Sequence, residues 1–155
     1  MKHKLLLAVD GTKSSFKTAD YVALACAGSK APGVRIVVFH VLPGLPPHVE
    51  GSKAAAADKR AEEFAGKAWD KAEQMLAQIK EHIVRAGVAA ESVTTKAAEE
   101  GGDVLAQIVQ AAAEQKCDTI VVGRHKQSLF GKLFAVGLGE HLLNKTVGYA
   151  VWLVE

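Results

Sequence analysis

Short apolar runs alternate with helical patterns along the whole chain, and this alternation limits the fold more than any other feature. Each run is four to nine residues long, rich in β-branched residues, and bounded by turn or helix signals, which is typical of a strand buried in a sheet. Strands that alternate with helices predict an α/β fold, with a parallel sheet and helices on both of its faces. The five predicted strands are Leu5 to Val9, Val34 to Leu42, Val93 to Ala97, Thr119 to Val122 and Tyr149 to Val154.

Four helical patterns separate these strands. The first follows Thr12, Ser14 and Ser15 and ends near Gly28, and the last lies near Lys132 to Asn144. The longest, Ala54 to Ala86, carries one apolar stripe on an otherwise charged helix. The third is opened by Gly101-Gly102-Asp103, which places Asp103 in its first turn. The stripe of the long helix consists of Phe64, Ala68, Ala72, Met75 with Leu76, Ile79 and Ile83.

The chain shows no internal repeat or linker, so its 155 residues predict one domain, 1–155. The net charge is only +2, and the longest basic cluster, Arg124-His125-Lys126, is too short for a nucleic-acid footprint. No apolar run is long enough to span a bilayer. Cys26 and Cys117 lie far apart without metal-ligand spacing, and a disulfide framework is not expected. We therefore expect a cytoplasmic protein that binds neither nucleic acid nor membrane.

Ligands of open parallel sheets bind beyond the carboxyl ends of the strands, where the strand order reverses. Asp10 stands at the end of the first strand, and Gly123 at the end of the fourth. The Asp10 carboxylate suits two roles: it accepts hydrogen bonds from a ribose or base, or it stabilises a turn through nearby backbone N–H groups. Gly123 indicates a close approach of the backbone, either to a ligand or to the neighbouring helix. His40 is expected to be a core histidine bonded to a carbonyl.

The segment after Gly123 has the composition of an anion site. Arg124 and Lys126 are able to neutralise phosphate oxygens, although charged loops are common on protein surfaces. Ser128 suits either a phosphate contact or a helix cap. Gly137 stands inside a helical pattern, where glycine costs about 1 kcal/mol relative to alanine, so either the helix begins late or the backbone is closely approached there.

The chain carries no recognisable catalytic or metal-binding motif. A G-x-x-x-x-G-K-[ST] loop and a G-x-S-x-G elbow are both absent, and the six histidines are scattered. No pair of residues suited to general acid and base catalysis stands out. The sequence therefore favours a binding protein over an enzyme, and no metal is expected.

Two separated motifs resemble the universal stress protein family. They are AVDGT at the end of the first strand and KCDTIVVGRH around the fourth, and FHVL in the second strand and the long second helix agree with them. The resemblance covers essentially the whole chain. It implies a three-layer α/β/α fold with a five-stranded parallel sheet of order 3-2-1-4-5. It also implies that Asp10 contacts the ribose of ATP or another adenine nucleotide, and that the Val41 backbone reads the adenine edge.

The ATP motif of that family, G-x2-G-x9-G-[ST], is degenerate in this chain. Its first glycine matches Gly123, but the second falls on Lys126. An alignment without a gap places the third glycine on Val136 and the hydroxyl residue on Gly137. A shift by one residue retains Gly137 as the third glycine but places Leu138 at the hydroxyl position. Lys126 would narrow the space for phosphates, and the hydroxyl is lost either way.

The resemblance also implies a homodimer in which the last strand, Tyr149 to Val154, pairs with its mate. Trp152 is then either an interface anchor or an ordinary core residue. Two functions remain open. The first is a homodimeric stress-response protein with weak or absent ATP binding that works through protein partners. The second is an adenine-nucleotide-binding module in which Lys126 and Ser128 replace the missing glycine and hydroxyl.

Overall fold

A computed structural model describes residues 3–27, 33–42, 44, 54–124 and 138–155. Its strands form one five-stranded parallel sheet of order β3-β2-β1-β4-β5, so the predicted α/β fold and strand order are confirmed. The elements, in chain order, are β1 (Lys4–Val9), α1 (Lys13–Ala27), β2 (Arg35–Leu42), α2 (Ala54–Arg85), a short 3₁₀ turn (Ala90–Ser92), β3 (Val93–Glu99), α3 (Val104–Glu114), β4 (Thr119–Gly123), α4 (Leu138–Lys145) and β5 (Ala150–Val154).

The sheet lies between two helical layers because its central strands are apolar on both faces. In β1, Leu5, Leu7 and Val9 face α1 and α2, whereas Leu6 and Ala8 face α3. Full burial of each such leucine stabilises the fold by about 1.5–3 kcal/mol. Helix α4 packs beside α3. None of the helices in the described part of the chain is both long and apolar enough to cross a membrane.

Helix α2 is much longer than the strands that it covers. Its 32 residues span about 48 Å, whereas the eight residues of β2 span about 26 Å. From Ala72 to Ile83 the apolar stripe is buried apart from the half-buried Met75, but Phe64 is 47% exposed. Phe64 is left uncovered by the core because the first turns of α2 extend past the carboxyl edge of the sheet.

Two helix ends differ from the predictions. Asp103 is the N-cap of α3 and not a residue of its first turn, since its backbone is extended and its carboxylate accepts a hydrogen bond from the Leu105 N–H at 2.9 Å. The last helix is described from Leu138 to Lys145, one residue beyond the predicted end. The predicted first part of that helix, 132–137, and all of the predicted loop 43–52 except Gly44 lie outside the described residues.

Candidate functional site

The carboxyl ends of β1 and β4 and the first turns of α1 enclose a small crevice. It is lined by Ala8, Asp10, Ser14, Ser15, Thr18 and Gly123. Ala8 pairs with Val122 in the sheet, so the ends of the two strands lie side by side. The predicted meeting of Asp10 and Gly123 at this edge is therefore observed.

Asp10 is held by a network of hydrogen bonds from the start of α1. Its Oδ1 accepts bonds from the Thr12 N–H at 3.0 Å, the Thr12 hydroxyl at 2.6 Å and the Ser15 hydroxyl at 3.0 Å. Gly11 makes this possible because its φ of +79° lies in the left-handed region, where the chain reverses without a steric penalty. The carboxylate is thus fixed in one orientation by residues within five positions of it.

The second oxygen of the same carboxylate is in a different situation. Asp10 Oδ2 is buried and has no hydrogen-bond partner among the described residues. A buried acceptor without a partner costs about 1–3 kcal/mol, and more when it is charged. The turn role predicted for Asp10 accounts for Oδ1 alone. A hydroxyl, N–H or ammonium group would supply the hydrogen bond that Oδ2 lacks.

His40 lies on the neighbouring strand, where it pairs with Val9, the residue before Asp10. Its Nδ1 is 2.8 Å from the Val9 carbonyl oxygen. A carbonyl only accepts, so Nδ1 must carry the proton and donate. The predicted bond to a carbonyl is confirmed, but His40 is half-buried and not a fully buried core residue.

Gly123 is required by the packing of α1. A Cβ atom at this position would lie 2.5 Å from Thr18 Oγ1 and 3.2 Å from Ser14 Oγ, and Thr18 is only 2% exposed. Of the two predicted partners for its close approach, the neighbouring helix is the one observed. Sequence reasoning missed this pairing, although Ser14 and Thr18 are four residues apart and so share one face of α1.

The remaining predicted site residues are only partly described. Val41 is half-buried in β2, one residue beyond the last pair between β1 and β2. Arg124 is exposed, and its backbone N–H donates to the Val154 carbonyl, which connects the end of β4 to β5. Lys126, Ser128 and Gly137 lie outside the described residues.

Neither cysteine contributes to the crevice. Cys26 packs against the core between α1, α2 and the sheet, and Cys117 against the core beneath α3. Burial raises the pKa of both thiols above the usual range, so both are poor nucleophiles at neutral pH. In the described part of the chain, no three histidine, cysteine or acidic side chains are grouped as metal ligands would be.

Comparison with known proteins gives a consistent result. The sequence profile of the universal stress protein family matches residues 1–146. No curated protein sequence matches the chain. Among solved structures, the universal stress protein UspA from Lactobacillus plantarum aligns with a TM-score of 0.69 at 16% identity, over 99% of this chain and 97% of that one.

Two further structures of this kind contain adenine nucleotides. A universal stress protein in complex with cAMP aligns with a TM-score of 0.64 at 18% identity, over 99% of this chain and 97% of that one. The universal stress protein from Archaeoglobus fulgidus in complex with dAMP gives 0.58 at 16% identity, over 99% and 98% of the two chains. At these identities the likeness establishes the shared fold.

Proposed function

The chain belongs to the universal stress protein family, and from this premise we propose that it is a homodimeric stress-response protein that binds adenine nucleotides weakly, mainly through the nucleoside. The observation that carries the proposal is the unpaired Oδ2 of Asp10 at the carboxyl edge of the sheet. A ribose hydroxyl donates the hydrogen bond that this oxygen lacks. The surrounding hydroxyl network fixes the carboxylate before the ligand arrives, which lowers the entropy lost on binding.

Related structures support a nucleoside contact of this kind. The ligands named in them are cAMP and dAMP. Each of these nucleotides has one free hydroxyl on its sugar, at the 2′ position in cAMP and at the 3′ position in dAMP. The unpaired oxygen of the Asp10 carboxylate needs one hydrogen-bond donor, and each of these ligands offers one sugar hydroxyl. The Asp10 site of this chain therefore suits ligands of this class.

The proposal of weak ATP binding follows from the residues that align with the phosphate-binding part of the family's ATP motif. Lys126 stands where ATP-binding relatives carry a glycine, and Gly137 or Leu138 stands where they carry a hydroxyl residue. The β- and γ-phosphates therefore find fewer backbone N–H and hydroxyl donors than in those relatives. We expect ATP to bind no more tightly than AMP.

Isothermal titration of the nucleotide-stripped protein with AMP and with ATP tests this proposal. The informative variant is Asp10→Asn, because its amide oxygen still accepts the bonds from Thr12 and Ser15 while the charge and the open acceptor are lost. We expect this variant to weaken AMP binding about 10- to 100-fold, the equivalent of one hydrogen bond to a charged group.

The alternatives give different results in the same titration. ATP binding that AMP does not approach would favour the nucleotide-binding module in which Lys126 and Ser128 hold the phosphates. No heat with either ligand, on protein shown to be folded, would refute nucleotide binding. Equal affinity in wild type and Asp10→Asn would refute the ribose contact.

We assign the dimer interface to the free edge of β5. This strand lies at one end of the sheet, and Leu153 is 51% exposed on it. Tyr21 of α1 is also 51% exposed and contacts Trp152 edge to face. The opposite edge strand, β3, carries Thr94, Thr95 and Lys96, and polar side chains of this kind discourage pairing between edges. The apolar edge is therefore the better candidate for contact with a second copy.

Substitution of Leu153 tests this interface with little risk to the fold. Trp152 packs against the core as well as Tyr21, so its replacement would affect stability and association together. We expect Leu153→Glu to reduce the mass measured by light scattering from that of a dimer to that of a monomer. Thr94→Glu, on the opposite edge, is the matched control and should leave the mass unchanged. A dimer that persists in Leu153→Glu would exclude the β5 edge.

A further inference from the structure

A second cleft lies beyond the carboxyl ends of β2 and β3, against the part of α2 that extends past the sheet. Its walls include Leu42, Phe64, Ala68, Trp69, Glu99 and Glu100, and its cavity volume is about 160 Å³. Strand β2 separates β3 from β1, so this cleft is distinct from the Asp10 crevice. The carboxyl edge of a parallel sheet is the usual position for ligand sites.

The cleft combines two aromatic side chains with two carboxylates. Phe64 is 47% exposed at its wall, although it belongs to the apolar stripe of α2. The Trp69 indole N–H donates to Glu99 Oε1 at 3.2 Å. Because this N–H lies in the ring plane, the carboxylate stands at the edge of the indole and leaves the ring faces uncovered by it. The bond thus brings a negative charge and an aromatic surface together.

Glu100 contributes the second charge in a fixed position. Its Oε2 accepts a hydrogen bond from the Gly44 N–H at 2.8 Å. Neither glutamate forms an ion pair with any described residue. No lysine, arginine or histidine is among the described residues that line the cleft. The two negative charges are therefore not neutralised by a basic side chain of the described chain.

We propose that this cleft binds a small organic cation that carries an ammonium or guanidinium group. Such a group is attracted both to carboxylates and to the faces of aromatic rings. A metal ion would make no contact of value with the aromatic wall, and a neutral donor would form hydrogen bonds to the carboxylates without the additional attraction between opposite charges. The volume suits a free small molecule that fits between α2 and the strand ends.

The test is a titration with n-butylguanidinium, monitored through the indole N–H resonance of Trp69. The chain has two tryptophans, and the signal that disappears in a Trp152→Phe variant identifies the Trp69 signal of the wild-type protein, which is then used for all titrations. The neutral isostere n-butylurea is the matched ligand control, and sodium chloride keeps the ionic strength equal throughout. We expect a saturable shift with the cation, and an affinity for the urea at least about tenfold weaker, since hydrogen bonds to charged groups are the stronger ones.

Variants divide the proposed site into its two components. Glu99→Gln with Glu100→Gln removes both charges and keeps the side-chain shapes, and should weaken cation binding at least about tenfold. Phe64→Leu keeps an apolar contact without the ring and should weaken it about threefold. The matched control is Glu62→Gln with Glu63→Gln, two exposed glutamates of α2 that do not line the cleft, and it should have no effect.

Several results would overturn the proposal. They are equal binding of the cation and the urea, an equal loss in the control pair, no effect of Phe64→Leu, or no saturable shift of the Trp69 signal. Asp10→Asn should leave cation binding unchanged. If Asp10→Asn weakened cation binding, the cleft would not be a site separate from the Asp10 crevice. If the protein bound no nucleotide, the cation titration would still test the cleft independently.

Discussion

The substitution Gly123→Ala separates the structural role of this glycine from any role in binding. The added methyl group would lie 2.5 Å from Thr18 Oγ1 and 3.2 Å from Ser14 Oγ. Thr18 is not free to move aside, because it is only 2% exposed and its hydroxyl donates to the Ser14 carbonyl at 2.9 Å. Overpacking of this kind costs about 1–3 kcal/mol. For a domain of 155 residues the melting temperature should fall by about 2–12 °C.

The assay is thermal and urea unfolding of four proteins: wild type, Gly123→Ala, Thr18→Ala and the double variant. Because Thr18→Ala removes the atom that the methyl group meets, the double variant should be less destabilised than the sum of the two single variants, by about 0.5–3 kcal/mol. Gly66→Ala is the matched control. It lies inside α2 with nothing within 4 Å of its added Cβ, and should raise stability by about 0.5–1 kcal/mol. Additive effects of Gly123→Ala and Thr18→Ala would refute the contact.

Two further predictions concern charge and thiol chemistry. A hydrogen bond from Lys145 lowers the pKa of Asp103. The interaction therefore contributes its full stability at pH values above the ordinary aspartate pKa, and this contribution is lost as the pH falls through the lowered pKa. Asp103→Asn keeps the hydrogen bond to the Leu105 N–H. At pH 7 its free energy of unfolding, measured in urea, should be lower than that of wild type by less than about 1 kcal/mol, because Lys145 and Asp103 are 32% and 39% exposed. In acid the two proteins should have the same stability. Because burial raises the pKa of Cys26 and Cys117, both should react slowly with a disulfide reagent in the native state and quickly in urea, and fast reaction of the folded protein would contradict their packing.

The fold was predictable because burial on both faces leaves a simple pattern. Strands such as β1 and β2 are almost continuously apolar, and helix α2 has a 3.6-residue period. The strand order came from the family resemblance. The exposure of Phe64 was not predictable, because periodicity identifies the apolar face of a helix but not how far the sheet beneath it reaches. The sequence does not show whether Asp103 is the N-cap or the first residue of α3, because the two glycines before it allow the helix to begin at either position.

Part of the crevice was predictable at the level of residues, but its hydrogen bonds were not. Asp10, His40 and Gly123 were identified because strands that end at one edge bring their last residues together. The sequence contains Thr12 and Ser15, but nothing in their spacing shows that both hydroxyls bind the same carboxylate oxygen. That detail decides the chemistry, because it determines which oxygen of Asp10 is left for a ligand.

Asp10 and Gly123 therefore differ in what they indicate about a ligand. Gly123 is required by Thr18 and Ser14 of α1, whether or not a phosphate binds nearby. Its agreement with the first glycine of the ATP motif is thus not an argument for ATP binding. The Oδ2 atom of Asp10, in contrast, is not explained by the packing of the fold. Its burial without a hydrogen-bond partner lowers stability, and none of the described contacts offsets this loss. The retained glycine, the lysine at position 126 of the motif and the unpaired carboxylate oxygen together support our proposal that this chain binds a nucleoside better than a triphosphate.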